Sequence, residues 1–361
     1  MIILKQVRNE NNVITPIAST LLVGWLFFSC IERFEIAVPR VASNYIVEAI
    51  LLDDPRFQKV VISKINDAGE KEIVFGGDAL FERKDQPPIF LSQNGAGEFV
   101  ASQFIELVAG DQYRLFIRLG DNETITSGWE IVPEKILIKS GEWRSTSSSI
   151  IDDSGIKVTR NGVEFLVGTD TLPEDEAFIR YAYETTHINE APFAHPLCPP
   201  ECRSCYIQTI PTNYLTISGT ENARGKILDD QVIDFLPITR RFSFRLTMLV
   251  RQITLTKNGY IFYQSISDQQ TLEGSIFDPP PSVIDGNLEI DRSTGAEVYG
   301  LFELGRLDEV PIDVYKSDIE NQFLTYSDIC NQVLEVGGNV PAECFACFDE
   351  PGAGPRPYYY E

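Results

Sequence analysis

The cysteines are the residues whose type and spacing say most about chemistry in this 361-residue chain. Cys30 follows an apolar run over residues 17–28 and a small residue, Ser29. An apolar stretch, a small residue and a cysteine form the layout of a bacterial lipobox, in which the cysteine becomes the lipidated N-terminus. A membrane span needs about 20 apolar residues. The run is shorter than that and follows Lys5 and Arg8, which fits a signal-peptide core. Residues 1–29 are therefore expected to be a lipoprotein signal peptide. Cys30 is expected to carry acyl chains that tether the mature chain to a lipid bilayer.

The other six cysteines fall into two groups of three: Cys198, Cys202 and Cys205, then Cys330, Cys344 and Cys347. In an exported protein an even set reads as a disulfide framework. Each group is odd in number, so if all six are bonded at least one bridge must join the groups. A closed loop of roughly a hundred residues or more contributes about 4–5 kcal/mol in the chain-entropy picture. The competing reading is zinc, because both groups contain Cys-x-x-Cys and His187 and His195 lie just upstream of the first. The export signal favours disulfides. Pro192 and Pro196 around the histidines place both of them in loops.

Little else points to a reaction. The chain has two histidines, and it lacks a Gly-x-Ser-x-Gly elbow, a His-Glu-x-x-His pair and a phosphate-binding glycine loop. Adjacent carboxylates occur at Asp53-Asp54, Asp152-Asp153 and Asp229-Asp230, and neighbours of this kind at turns usually serve the turn. A glycosidase would need two acids opposed across a cleft. No Asp-x-Asp-x-Asp-Gly calcium loop is present. With 30 basic and 53 acidic residues and a net charge of -23, the chain is not built to bind nucleic acid through phosphates. No catalytic residue, metal ligand or cofactor-binding residue is expected. Hydrophobic residues at 43% and aromatics at 11% are enough for real cores.

Short alternating segments separated by turn residues predict a mainly β chain. Strands are expected over 44–51, 57–63, 71–75 and 110–118. Asn161-Gly162 between two β-rich runs reads as a hairpin turn. Further strands are expected over 178–184 and 241–250, the latter with Phe242, Phe244, Leu246 and Met248 on one face, and a helix over 256–270. The expected architecture is two β-sandwich-like domains of immunoglobulin or fibronectin type. The N-terminal one spans 30–133. The second β-rich domain spans 134–330, with the helix and a Pro-rich connection. A disulfide-tied Cys-containing tail spans 331–361, and its last residues from 349 onward are expected to be mobile or peripheral.

At Val250-Arg251-Gln252, and at Gly274-Ser275-x-Phe277-Asp278-x-x-Pro281-x-x-x-x-Gly286-Asn287, the sequence resembles the domain-of-unknown-function family 4249, lipoproteins of Bacteroidota. Tyr45 to Glu48, Val298 to Phe302, Glu343-Cys344-x-x-Cys347 and the aromatic end at Tyr358, Tyr359 and Tyr360 agree with it. The motif residues Phe277, Asp278, Pro279, Pro281, Gly286 and Asn287 read best as backbone geometry: Asp278 caps a turn, the prolines fix a crossing and Gly286 supplies a positive φ. The resemblance implies an outer-membrane lipoprotein at the cell surface, encoded beside a TonB-dependent transporter. It implies no chemistry. The expected function is a non-catalytic accessory or cargo-binding partner of such a transporter in nutrient uptake. The rivals are a surface glycan or peptide hydrolase using a carboxylate pair, and an adhesin-like structural protein.

Overall fold

Alternation with a period of two puts one side of each strand in a core, and from Asn44 onward the chain follows it. A computed structural model describes residues 44–66, 69–120, 123–151, 154–170, 172, 177–211, 216–219, 229–270, 283–291, 296–320 and 323–360. The chain is mainly β. The first nine strands are β1 (Asn44–Leu51), β2 (Gln58–Ile65), β3 (Lys71–Ile73), β4 (Asp78–Arg83), β5 (Ile89–Gln93), β6 (Glu98–Ala101), β7 (Gln112–Arg118), β8 (Thr124–Ser127) and β9 (Glu130–Ile131). There follow β10 (Ile138–Ile151), β11 (Lys157–Thr169), β12 (Phe178–Glu190), β13 (Ser204–Thr209), β14 (Thr216–Gly219), β15 (Gln231–Pro237) and β16 (Arg245–Leu255). β17 (Leu288–Ile290), β18 (Glu297–Tyr315) and β19 (Ala353–Gly354) complete the set. The longer helices are Lys257–Gln270 and Tyr326–Glu335.

One hydrogen-bonded path runs β17-β8-β7-β4-β5-β6-β2-β1-β18-β16-β12-β13-β19. Its first part curls around a core that includes Tyr45, Phe81, Phe99, Tyr113, Ile117 and Phe302. Its second part packs against a separate sheet, β10-β11-β15, over Phe165, Tyr181, Phe242, Met248 and Ile312. β18 serves both parts. It runs parallel to β1 from Glu297 to Leu304 and antiparallel to β16 from Gly305 to Tyr315. Residues 288–304 belong by sequence to the second region, yet Leu288, Ile290, Val298, Phe302 and Leu304 pack on the first core.

Three local expectations are corrected. Asn161-Gly162 is not a hairpin turn: β11 runs straight through it, with Asn161 opposite Ser147 and Gly162 opposite both Thr146 and Pro237. Gly162 is needed because a Cβ there would lie 2.3 Å from the Phe235 ring and 2.5 Å from the Leu236 carbonyl oxygen. The strand expected over 241–250 starts later, at Arg245, because Arg240–Phe242 form a 3-10 turn capped by Thr239. Phe242, Leu246 and Met248 are buried, but Phe244 is 40% exposed. The tail is docked: β19 pairs with β13, and Tyr359 and Tyr360 are buried on Leu249. The expected helix is present, and it meets the core through Tyr260 and Tyr263. Among the described residues no helix is long and apolar enough to cross a membrane.

Candidate binding site

β12 positions the site. Its alternate residues Thr185, His187 and Asn189 point to one face of the sheet, and Glu184, Thr186 and Ile188 to the other. The tail clasps the edge beside it. Cys205 on β13 stands opposite Asn189 and is bonded to Cys347. Cys330 is bonded to Cys344, and Cys198 to Cys202. One bridge therefore joins the two cysteine groups, as parity requires. From Cys347 the chain places Glu350 on the first face, crosses the edge as β19, and lays Tyr358 to Tyr360 on the second.

On the first face Tyr326, at the start of its helix, holds a three-residue relay. Its hydroxyl lies 3.0 Å from His187 Nε2 and 3.0 Å from Glu350 Oε1. Asn189 Nδ2 also donates to Glu350. Arg240 stacks 4.7 Å above the Tyr326 ring and lies 3.6 Å from Glu350. Burial, and then the charges of Arg241 and Arg240, push His187 down to about 3. Burial and the Glu350 charge push the Tyr326 hydroxyl up. The phenol proton therefore goes to Glu350, the only group in the relay that cannot donate. His187 Nε2 then carries the proton that meets the phenol oxygen, and Nδ1 meets no hydrogen-bond partner among the described residues. The relay borders a cleft of about 800 Å³ in which Glu350 is the one carboxylate among the described lining residues. A histidine held neutral so far below its usual range is a poor base, and among the described residues no second acid opposes Glu350 there.

On the second face the ladder sets Arg245 beside Tyr315 and Thr247 beside Asp313. The Arg245 guanidinium stacks 3.6 Å over the Tyr360 ring, and the Tyr360 hydroxyl donates to the Arg245 carbonyl at 3.1 Å. Tyr206 meets Tyr360 edge-on at 5.0 Å. Thr186 and Tyr359 share a hydrogen bond of 2.7 Å. Tyr358 donates to Glu309 at 2.8 Å and accepts from Arg56. Here the tail borders an open cleft of about 620 Å³.

A family profile described as Domain of unknown function (DUF4249) matches residues 31–309. The chain belongs to this family. No curated protein matches the chain.

The DUF4249 motif divides at the edge of the described residues. Phe277, Asp278, Pro279 and Pro281 lie outside them, as does Cys30. Gly286 and Asn287 lie inside, and their work is structural. Gly286 needs no positive φ; it is there because a Cβ would fall 1.6 Å from the Gly300 carbonyl oxygen. Asn287 copies a strand partner with its side chain. Its Oδ1 accepts from the Phe302 N–H at 2.8 Å, and its Nδ2 donates to the Phe302 carbonyl at 2.9 Å and to Glu130 at 2.8 Å. It thereby links the β17 side of the curled sheet to β18.

The remaining candidates separate in the same way. His195 is a loop residue as expected, but His187 is on β12 and 2% exposed. Its proline neighbours act only downstream, on the loop after Glu190. Asp53 accepts from Arg306 Nε at 2.8 Å and from the Leu307 N–H at 2.5 Å, and Asp54 caps the turn at Pro55–Phe57. Asp152 and Asp153 lie outside the described residues. Asp229 sits 3.9 Å from Lys139 at the surface. Asp285, Glu289 and Glu297 line an open cleft of about 830 Å³ next to Tyr299, which donates to Glu297. Among the described residues no group of three or more His, Cys, Asp and Glu side chains is set to hold a metal. Sequence reading missed Tyr326, Glu350, Arg240 and Arg245. The spacing of Cys330, Cys344 and Cys347 is the signal that could have found the first two, because it forces the tail onto the sheet.

Proposed function

We propose that the chain is a lipid-anchored binding protein of the bacterial outer membrane, serving as accessory or cargo-binding partner of a TonB-dependent transporter in nutrient uptake. The observation that carries the reading is the set of three disulfides, one of which spans 142 residues. Such bridges persist in oxidising compartments outside the cytoplasm. The lipobox-like end at Cys30 supports the anchor, and the family resemblance supports the transporter link. The state of the tail-side clefts supports binding over catalysis. His187 is locked in a relay with its base strength suppressed, and Ser243 Oγ is committed to the Arg240 carbonyl at 2.5 Å. Rigid sheets recognise partners through edges and loops without any perturbed nucleophile.

The test is affinity capture of the tagged full chain from detergent-solubilised outer membranes of its own host. The expected result is a β-barrel transporter in stoichiometric yield, together with incorporation of labelled palmitate that Cys30→Ala abolishes. Recovery without a barrel partner, or palmitate-free protein with Met1 intact, would overturn the reading.

A further inference from the structure

The acidic excess of this chain makes an average patch of its surface repel anions. The open cleft on the second face of β12 reverses that rule. Its charged lining residues are Arg245, Lys316 and Arg356, and no carboxylate lines it among the described residues. Its walls are aromatic. Tyr206 and Tyr360 form one side, and Phe244 and Tyr315, 40% and 46% exposed, form the other.

The fold builds this arrangement from three directions. The ladder places Arg245 beside Tyr315. The β18 end turns at Lys316, whose N–H donates to the Phe244 carbonyl at 2.8 Å and fixes Lys316 beside Phe244. The disulfide-tied tail brings Arg356, whose Nε donates to the Tyr360 carbonyl. Arg245 is the inner cation, with its side chain 13% exposed and Asp313 3.7 Å away. That guanidinium stacks on the Tyr360 ring and hydrogen-bonds towards Tyr315 and Tyr360, so it offers an anion its charge and its remaining donors. The volume of about 620 Å³ falls in the range of small-molecule sites, roughly 300–1,000 Å³.

We propose that this cleft binds an anionic small molecule with a planar ring, of the aromatic carboxylate class. The carboxylate meets Arg245, Lys316 and Arg356 set the sign of charge at the mouth, and the ring lies against Tyr315 and Phe244. The proposal rests on the reading of the chain as a binding protein and names the class of its cargo.

The test is isothermal titration of the full chain in detergent with 2-naphthoate and with its neutral analogue, 2-naphthalenemethanol. The expected result is one saturable naphthoate site per chain, with the neutral analogue at least about tenfold weaker. Affinity should fall as salt rises. The double variant Lys316→Gln/Arg356→Gln should weaken naphthoate by about tenfold or more while the chain still melts cooperatively, and the remote Lys84→Gln leaves binding unaltered. Absence of a saturable site, equal binding of the two analogues, or undiminished binding by the double variant would overturn the proposal. Naphthoate binding without a barrel partner would remove the transporter reading and keep the cleft. A barrel partner without naphthoate binding would do the reverse.

Discussion

Between β1 and β8 the chain buries Tyr45, Phe81, Phe99, Tyr113 and Ile117 at 1% exposure or less, and no cysteine occurs from residue 31 to residue 197. Around the far end of β12 from Ile188 onward, β13 and the tail the proportions invert. There the apolar clusters are small, Ala191 with Ile207 and the Cys205–Cys347 pair, and Leu249 with Tyr359 and Tyr360. Three disulfides and a set of arginine–tyrosine stacks occupy the same stretch. Each large side chain fully buried stabilises a fold by about 1.5–3 kcal/mol, so the first region holds itself by burial. The tail end has too little apolar surface for that and is held by covalent links. Two of the clefts border β12 at this cross-linked end, and the one lined by Asp285, Glu289 and Glu297 adjoins the first region.

The largest effect expected from breaking this contrast comes from the long bridge. Replacing both partners, Cys205→Ala with Cys347→Ala, should lower the unfolding free energy by about 4–5 kcal/mol, measured by urea denaturation. Limited proteolysis should then cut within residues 331–360 while the segment 44–132 stays intact. A midpoint equal to that of the parent chain would mean that the tail holds by packing after all. A smaller effect is expected in the first region, where the sheet depends on one side-chain amide. Asn287→Ala leaves the Phe302 N–H and carbonyl and the Glu130 carboxylate without that partner, at about 2–3 kcal/mol. Asn287→Asp should be no better, since a carboxylate cannot donate to a carbonyl.

The effect that is smallest at neutral pH, and grows only as acid is added, belongs to the cross-linked end, which holds both histidines. His187 stays neutral in the folded chain down to about pH 3, whereas in the unfolded chain it takes up a proton below about pH 6.5. Between those values the unfolded state binds more protons, so acid favours unfolding. Stability should be full above about pH 6.5 and fall by about 1.4 kcal/mol per pH unit toward pH 3. In His187→Gln the slope should shrink by that amount, as read from urea midpoints across the pH series.

Much of the fold was legible because local pattern and global role agreed. The alternation over 44–51 became β1 with Val47, Ala49 and Leu51 buried, and the helix over 256–270 formed nearly as expected. The bridge between the cysteine groups followed from counting alone. The misreadings came where one residue type serves two purposes. A glycine after an asparagine signals a turn, but it also lets an aromatic ring lie flat on a strand, and Phe235 above Gly162 is the second case. Prolines near His187 signalled a loop, yet the strand ends at Glu190, before they act. Three terminal tyrosines looked peripheral because their partners, Arg56, Thr186 and Arg245, lie between about 110 and 300 residues upstream. No local window contains such a pair, and the same distance hid the Tyr326–His187 contact.

β1 runs parallel to the first half of β18, with Asn44 opposite Glu297. During synthesis β1 therefore waits for about 250 further residues before this neighbour arrives. Until then one edge of it lies open to stray pairing with other chains. Newly made molecules should depend on holding factors in a way that a fold assembled from successive hairpins would not.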